Sequence, residues 1–150
     1  MITVEIIAVG KIKEKFFTDA VKEYEKRLGR YCKFKITELP DFSDGTNSIT
    51  KEGDLILPKI KGLCVPLCIE GEQMSSEQLA KFITNKSTMG VSHITFIIGG
   101  TLGLTKEILD ISNESICFSK MTFPHQLIRV FLLEQIFRAF KISKGETYHR

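Results

Sequence analysis

Tryptophan is absent from this 150-residue chain, and cysteine is scarce, with four residues. The sequence also lacks any run of about 18 apolar residues, which excludes a membrane-spanning helix. Its first residues, Met1 to Glu5, show no basic stretch followed by an apolar one and are typical of a strand. We therefore expect a cytoplasmic protein with no secretion signal and no membrane partner.

The cysteines do not form a metal-binding pattern. Cys32, Cys64, Cys68 and Cys117 include no CxxC pair, and no closely spaced histidines accompany them. Cys64 and Cys68 fall in one predicted strand, where successive steps of about 3.3 Å separate them too far to bridge. We expect structural thiols in a reducing cytoplasm and no metal.

Charge is small overall but uneven along the chain, whose formal net charge is +3. Residues 1–35 carry nine Lys or Arg against five Asp or Glu, and residues 36–110 carry six against ten. Residues 111–150 again carry an excess of basic residues, six against three. Basic charge therefore flanks an acidic middle, a pattern that indicates an anionic partner.

Predicted strands alternate with predicted helices, which indicates a single α/β domain over residues 1–150 with a mainly parallel sheet. The strands are predicted at Thr3–Val9, Lys33–Leu39, Cys64–Ile69, Thr95–Ile98 and Ser115–Phe118. Helices are predicted at Phe16–Leu28, Leu55–Lys61, from a Ser75/Gln78 capping box to Thr88, at Thr105–Ile111 and at Pro124–Lys141. The polar segment Asp41–Gly53 is predicted to be a surface loop.

The last predicted helix is apolar around most of its circumference, with Leu127, Phe131 and Phe137 among many others. A helix of this kind has two faces to bury. In a domain of this size the sheet covers one face, so we expect a second subunit to cover the other. The sequence therefore predicts a homodimer.

Ligands of open α/β sheets bind beyond the carboxyl ends of the strands. Three predicted strand ends carry loops that could form such a site, at Glu70–Glu72, Gly99–Gly103 and Ser119–Phe123. The glycine-rich turn is not GxGxxG, and no GK[ST] follows it, so neither a dinucleotide site nor a P-loop is favoured. A tight turn without a ligand remains open as the alternative.

Two further segments carry ionisable side chains in a suggestive order. His125 and Arg129 are four residues apart on one helix face after Pro124. The alternative is purely local, with His125 starting the helix and Arg129 bound to Glu134 or to a carbonyl. The terminal Tyr148-His149-Arg150 offers stacking, proton transfer and phosphate binding, which an RNA-modifying site requires, or else a frayed terminus.

These segments carry a resemblance to a known family. The stretches IIAVGKIKEKFF, EYEKRL, IGGTLGL, FSKMTFPHQLIRV and the terminal YHR resemble the bacterial ribosomal large subunit methyltransferases of the knotted SPOUT class. The resemblance extends over nearly the whole chain, and FSKMTFPHQ together with YHR is its most specific part. That family methylates N3 of pseudouridine 1915 in 23S rRNA and is homodimeric.

The resemblance implies a C-terminal deep trefoil knot, an exception to the rule that chains do not knot. S-adenosylmethionine would bind there, in a pocket lined by Leu67, Gly99 and the stretch Phe118, Ser119, Lys120, Met121, Thr122 and Phe123. By the same analogy the 23S rRNA within the ribosome is the partner, and each subunit completes the other's site. The sequence departs from the family at the short segment 41–53 and at Cys68, Glu72 and Thr147.

The implied reaction requires a base, because N3 of pseudouridine carries a proton. We expect His149 to be that base, Tyr148 to orient the uracil ring and Arg150 to hold a phosphate or a developing enolate oxygen. The modest charge favours an assembled ribosome over free RNA as substrate. Alternatives are a knotted methyltransferase acting on a tRNA ribose, a non-enzymatic ribosome-binding factor and, from spacing alone, a flavodoxin-like nucleotide binder.

Overall fold

Five strands form one sheet in the order β2-β1-β4-β3-β5, and every neighbouring pair is parallel. The structure, a computed structural model, describes residues 1–42, 47–100, 103–112 and 114–149. In chain order the elements are β1 (Thr3–Val9), α1 (Lys15–Leu28), β2 (Lys33–Leu39), α2 (Ser48–Ile56), β3 (Leu63–Gln73), α3 (Ser76–Thr88), β4 (His93–Ile98), α4 (Lys106–Ile111), β5 (Ile116–Cys117) and α5 (His125–Ser143). The prediction of an α/β fold with a mainly parallel sheet is confirmed.

The sheet is covered on both faces, which explains why its central strands are almost wholly apolar. In β1 the side chains alternate between two cores: Ile6 packs with α1, α3 and α5, whereas Ile7 packs with Ile56 of α2 and Ile108 of α4. All four of these isoleucines are fully buried. Helix α5 packs against both α1 and α3, so the three helices form one layer.

Local sequence signals account for most of the element boundaries. The capping box at the start of α3 is present, with Ser75 Oγ accepting from the Gln78 amide at 3.1 Å and Gln78 Oε1 accepting from the Ser75 amide at 2.7 Å. Thr105 caps α4 in the same way through the Ile108 amide. Because these short polar side chains satisfy otherwise free amides, both helices begin within one residue of their predicted starts.

The segment after β2 differs from its prediction. Helix α2 begins at Ser48, inside the predicted loop Asp41–Gly53, and a short 3₁₀ helix at Leu57–Lys59 replaces most of the helix predicted at Leu55–Lys61. Residues 43–46 of that predicted loop lie outside the described residues. The helix forms despite its polar sequence because tertiary packing buries Ser48, Glu52, Gly53 and Ile56 on one side.

All four cysteines are free, as expected. Burial raises the pKa of Cys32 to about 12 and also raises that of Cys64, whose Sγ lies 3.0 Å from Ser112 Oγ. Among the described residues, no group of three or more His, Cys, Asp or Glu side chains could hold a metal ion. No helix within the same residues is long and apolar enough to cross a membrane.

Candidate active site

A cavity of about 460 Å³ lies at the carboxyl ends of β3, β4 and β5. Its wall combines the end of β3, the glycine turn after β4 and the segment that leads from β5 to α5. This is the edge of a parallel sheet at which α/β proteins bind ligands. A volume of this size fits a small-molecule or cofactor site.

Most residues predicted to bind the cofactor come together in this wall. The seven that line the cavity are Leu67, Gly99, Phe118, Ser119, Met121, Thr122 and Phe123. The eighth, Lys120, is exposed and is not among the lining residues. Its neighbours are held in a tight turn, in which the Met121 amide donates to Ser119 Oγ at 3.0 Å. The topology therefore collects residues that are up to 56 positions apart in the sequence.

An irregularity in β3 adds residues that were not among those predicted to bind the cofactor. The pairing of β3 with β5 shifts register between Leu67 and Glu72, and the intervening Cys68, Ile69 and Glu70 line the cavity. Gly71 makes the irregularity possible, since a Cβ there would lie 2.6 Å from the Ile116 carbonyl carbon. The strand was predicted to end at Ile69, with Glu70–Glu72 in a loop after it, whereas β3 continues to Gln73. Gly71 was the sequence signal for the irregularity.

The glycine turn rests on a buried carboxylate that was also missed. Gly100 forms an isolated bridge with Gly103, whose φ of +93° favours glycine. A Cβ on Gly100 would lie 2.6 Å from Glu52 Oε1, and Glu52 is only 3% exposed. Burial raises the pKa of Glu52, and nearby Asp41 raises it further. Thr101 and Leu102 of the predicted loop lie outside the described residues.

Arg129 is buried and ties the start of α5 to the loop after β1. Its guanidinium pairs with Glu38 and donates from Nη2 to the Gly10 carbonyl at 3.1 Å. The expected carbonyl contact is therefore present, whereas the carboxylate partner is Glu38 and not Glu134. The Arg129 Nε atom is buried without a hydrogen-bond partner among the described residues. His125, one turn earlier, lines the cavity.

The C-terminal residues lie elsewhere, against α5 and α3. Tyr148 packs edge-on against Phe137 with ring centroids 5.0 Å apart, and its hydroxyl donates to Glu134 Oε1 at 3.2 Å. Arg138 lies over the Tyr148 ring with its Cζ 4.8 Å from the centroid. Arg150 lies outside the described residues. The tail, residues 148 and 149 as described, is thus held in place and is not frayed.

His149 is engaged at both ring nitrogens. Nδ1 lies 3.1 Å from Arg138 Nη1, and Nε2 lies 2.6 Å from Glu77 Oε1. Because a guanidinium only donates, Nδ1 must accept and Nε2 must carry the proton that goes to Glu77. The pKa of Glu77 is lowered, first by its own backbone amide at the start of α3 and then by His149.

Neither Tyr148 nor His149 is among the residues that line the cavity. They contact Glu134 and the first turn of α3, beside a second cleft of about 600 Å³. That cleft is lined by Met74, Ser75, Ser76, Leu79, Ile116, Phe118, Phe123, Phe131, Glu134 and Gln135. Ile116, Phe118 and Phe123 line both spaces, so the cavity and the cleft share a wall.

Comparison with known proteins identifies the family. Residues 2–149 match the family model described as a predicted SPOUT methyltransferase. The chain belongs to the SPOUT methyltransferase family. The resemblance drawn from the motifs is therefore confirmed, and it extends over almost every residue of the chain.

Relatives of this SPOUT methyltransferase agree with that assignment along their full length. The chain is 52% identical to a ribosomal RNA large subunit methyltransferase H of Clostridium botulinum (strain Eklund 17B / Type B), over 98% of this chain and 99% of the relative. It is 50% identical to the protein of the same name from Clostridium beijerinckii, with the same shares covered.

A solved structure shares the fold at much lower sequence identity. A probable methylase family protein from Haemophilus influenzae Rd KW20 superposes with a TM-score of 0.52 at 9% identity. The match covers 98% of this chain and 70% of the other. At that identity the likeness concerns the fold alone.

Proposed function

We propose that this SPOUT methyltransferase transfers a methyl group from S-adenosylmethionine to N3 of pseudouridine 1915 in 23S rRNA, on the assembled ribosome. The main support is the cavity, in which seven of the eight residues implied by the family resemblance lie together. The relatives named as ribosomal RNA large subunit methyltransferases support the substrate class. The particular nucleotide follows from the resemblance.

The residues of the cavity fit S-adenosylmethionine. The cofactor would supply an electrophilic methyl group on a positively charged sulfur. Among the described lining residues there is no Lys or Arg, and Glu70 is the only carboxylate, so the wall does not repel a cation. Leu67, Ile98 and Phe118 would offer apolar contacts, and the glycine turn after β4 would offer backbone groups to the cofactor.

His149 is the proposed base for the N3 proton. To accept that proton, Nδ1 must give up its hydrogen bond from the Arg138 guanidinium and accept one from the N3–H group. Nε2 meanwhile keeps its hydrogen bond to Glu77. The imidazolium that forms would then be stabilised by the Glu77 carboxylate, which is 2.6 Å away. Tyr148 would orient the uracil ring, and Arg150 would hold a phosphate or the developing enolate oxygen.

A homodimer would bring this tail to a cavity. The tail does not line the cavity of its own chain, but it borders the open second cleft. The cleft exposes apolar rings: Phe131 is 39% exposed and packs edge-on against Phe123 at 5.7 Å. An apolar cleft of this kind suits a second copy, whose tail would then complete the neighbouring site.

The implied trefoil knot is part of the same proposal: α5 returns from β5, at one edge of the sheet, to the loop after β1.

Mixing two inactive variants tests the shared site. One variant lacks Tyr148–Arg150, and the other carries Thr122→Trp, which fills the cavity from an exposed lining position. The two variants are co-expressed with different tags, so that mixed dimers can be isolated. Each mixed dimer would contain one intact cavity facing one intact tail. Methyl transfer to ribosomes that lack this modification should recover in proportion to the mixed dimers. Recovery at background level would contradict a site shared between subunits.

The substrate is tested with the wild-type protein in the same assay. Methyl incorporation is compared on free 23S rRNA, large subunits, assembled ribosomes and tRNA, followed by mapping of the modified nucleotide. We expect incorporation on the ribosome at N3 of the target pseudouridine. Incorporation on tRNA ribose alone would point to another SPOUT activity. No transfer to any RNA, with no thermal shift on adding S-adenosylmethionine, would point to a non-enzymatic factor.

A further inference from the structure

Three lysines at the carboxyl edge of the sheet are exposed and take part in no ion pair with the described residues. Lys11 and Lys13 lie in the loop after β1, and Lys120 lies in the segment after β5. Among the described residues, none of the three has a carboxylate within salt-bridge distance, whereas the adjacent Lys15 is paired with Asp19 at 2.7 Å. Exposed cations of this kind remain available to an external anion.

The loop that carries Lys11 and Lys13 is fixed beside the cavity. The Lys13 amide donates to Gln126 Oε1 at 3.1 Å. His125, which precedes Gln126 in the chain, lines the cavity. The Ile12 amide donates to Glu38 Oε2 at 3.0 Å, on the carboxylate that also binds Arg129. This loop is therefore held against the start of α5 by its own backbone.

Lys120 borders the same cavity from the segment after β5. The two residues before Lys120 and the three after it line the cavity wall, while the Lys120 side chain is exposed. Residues 118–126 lead from β5 into α5 and include Lys120. At the far end of this segment, Gln126 binds the Lys13 amide, so all three lysines lie along it. We call Lys11, Lys13 and Lys120 the basic rim.

Acidic side chains at the carboxyl ends of the strands include Asp41 after β2 and two glutamates beside β3. Glu70 and Glu72 are exposed near the end of that strand, and Glu14 is exposed at the start of α1. Glu38 is occupied by Arg129. An RNA strand that avoids Glu70 and Glu72 would pass over the loop after β1 and the segment after β5, where the basic rim lies.

We propose that the basic rim binds backbone phosphates of the rRNA that flank the nucleotide entering the cavity. The inference rests on the proposed function, which it extends by assigning the RNA path to one side of the cavity. Lysines act here as point charges for phosphates, so the rim contributes position and affinity without reading sequence. Three contacts make weak binding on their own, in agreement with recognition of a large assembled particle.

The test compares two triple variants with the same change of charge. The first replaces Lys11, Lys13 and Lys120 by Gln. The control replaces Lys33, Lys59 and Lys61 by Gln; these exposed lysines also have no ion pair within the described residues. Lys33 is the first residue of β2, and Lys59 and Lys61 precede β3. All three therefore lie at the amino ends of the strands, opposite the cavity.

We expect the rim variant to raise KM for the ribosomal substrate about 10- to 100-fold, because each phosphate contact contributes about 0.7 to the salt slope. The slope of log affinity against log salt should become shallower by about 2 for the same reason. The affinity for S-adenosylmethionine should not change, and the control variant should behave as wild type in every assay.

Two results would contradict the proposal that the basic rim binds rRNA phosphates. Equal losses in both triple variants would indicate a general charge effect. A loss of binding with an unchanged salt slope would indicate contact with a ribosomal protein. Particle binding is measured separately from methyl transfer, by co-sedimentation over a salt series. A wild-type protein that binds with the expected rim dependence yet transfers no methyl group would contradict the proposed function alone.

Discussion

The cavity and the tail are built by different means. The cavity is formed where three strands end, and its shape follows from the order of the strands, the irregularity at Gly71 and the turn at Gly99-Gly100. The tail is held by side chains: Tyr148 packs on Phe137, and His149 lies between Arg138 and Glu77.

This difference separates two properties of the protein. Backbone geometry shapes the cavity, so steric changes in the sheet should alter cofactor binding. Polar contacts place the tail, so its removal should alter the chemical step and leave the cavity intact. The cavity shares Ile116, Phe118 and Phe123 with the second cleft, and the tail contacts that cleft through Glu134.

Removing Tyr148–Arg150 should have the largest effect and should separate the two regions most clearly. We expect methyl transfer to be abolished while the affinity for S-adenosylmethionine, measured by calorimetry, is retained. His149→Ala should reproduce most of the loss, since a positioned general base contributes about 10²–10⁴-fold. Substantial turnover by the deleted protein would show that the tail is not catalytic.

A conservative change separates catalysis from packing at the same place. Deletion also removes the Tyr148 ring from its contact with Phe137. Tyr148→Phe keeps that contact and removes only the hydroxyl that binds Glu134. Its melting temperature should therefore stay close to that of wild type. If Tyr148→Phe is as unstable as the deletion, the loss of activity reflects unfolding of the end of α5.

Gly71→Ala should affect the cavity and spare the tail. The added Cβ would lie within 3 Å of three backbone atoms of Ile116 and Cys117, so β3 and β5 must move apart. Overpacking of this kind costs about 1–3 kcal/mol. We expect a lower melting temperature and weaker cofactor binding in a titration. Gly29→Ala provides a control without overpacking, because Gly29 has an ordinary φ of −57° and no atom closer than 3.5 Å to its Cβ position.

The sequence predicted well those features that depend on neighbouring residues. The bounds of β1 and β2 agree with the structure, and the Ser75/Gln78 capping box is present. Helix α2 was missed because its stability comes from the burial of Ser48 and Glu52 against distant elements, which no local pattern records. The carboxylate partner of Arg129 was missed for the same reason, since Glu38 lies 91 positions away.

The candidate site was only partly within reach of the sequence. Motif resemblance selected the cavity residues, but spacing alone could not show that Lys120 stays out of the wall while its neighbours line it. Cys68 and Ile69 line the wall where the pairing of β3 with β5 is irregular. That arrangement depends on which strand lies beside which, a property of the whole sheet.

Glu52→Gln should have the smallest effect, confined to the support of the glycine turn. Glu52 is buried, its Oε2 accepts from the Phe42 amide at 3.0 Å, and burial together with Asp41 raises its pKa above the ordinary 4.5. Because the folded state raises this pKa, the stabilising contribution of the protonated group is present below about pH 4.5. It is lost as the pH rises through the raised value, where an ionised carboxylate lies buried beside Asp41.

Glutamine keeps an acceptor for the Phe42 amide and carries no charge, so the variant should be more stable than wild type at pH 7–8. A gain of about 1 kcal/mol corresponds to roughly 2–4 °C in melting temperature for a domain of this size. The gain should shrink toward zero as the pH falls to 4, because Glu52 then becomes protonated in the wild type. Asp54→Asn, an exposed change on the same helix, should show no such pH dependence. A constant difference between Glu52→Gln and wild type from pH 4 to pH 8 would mean that the carboxyl group does not titrate in this range. The substitution would then owe its effect to packing beside Gly100.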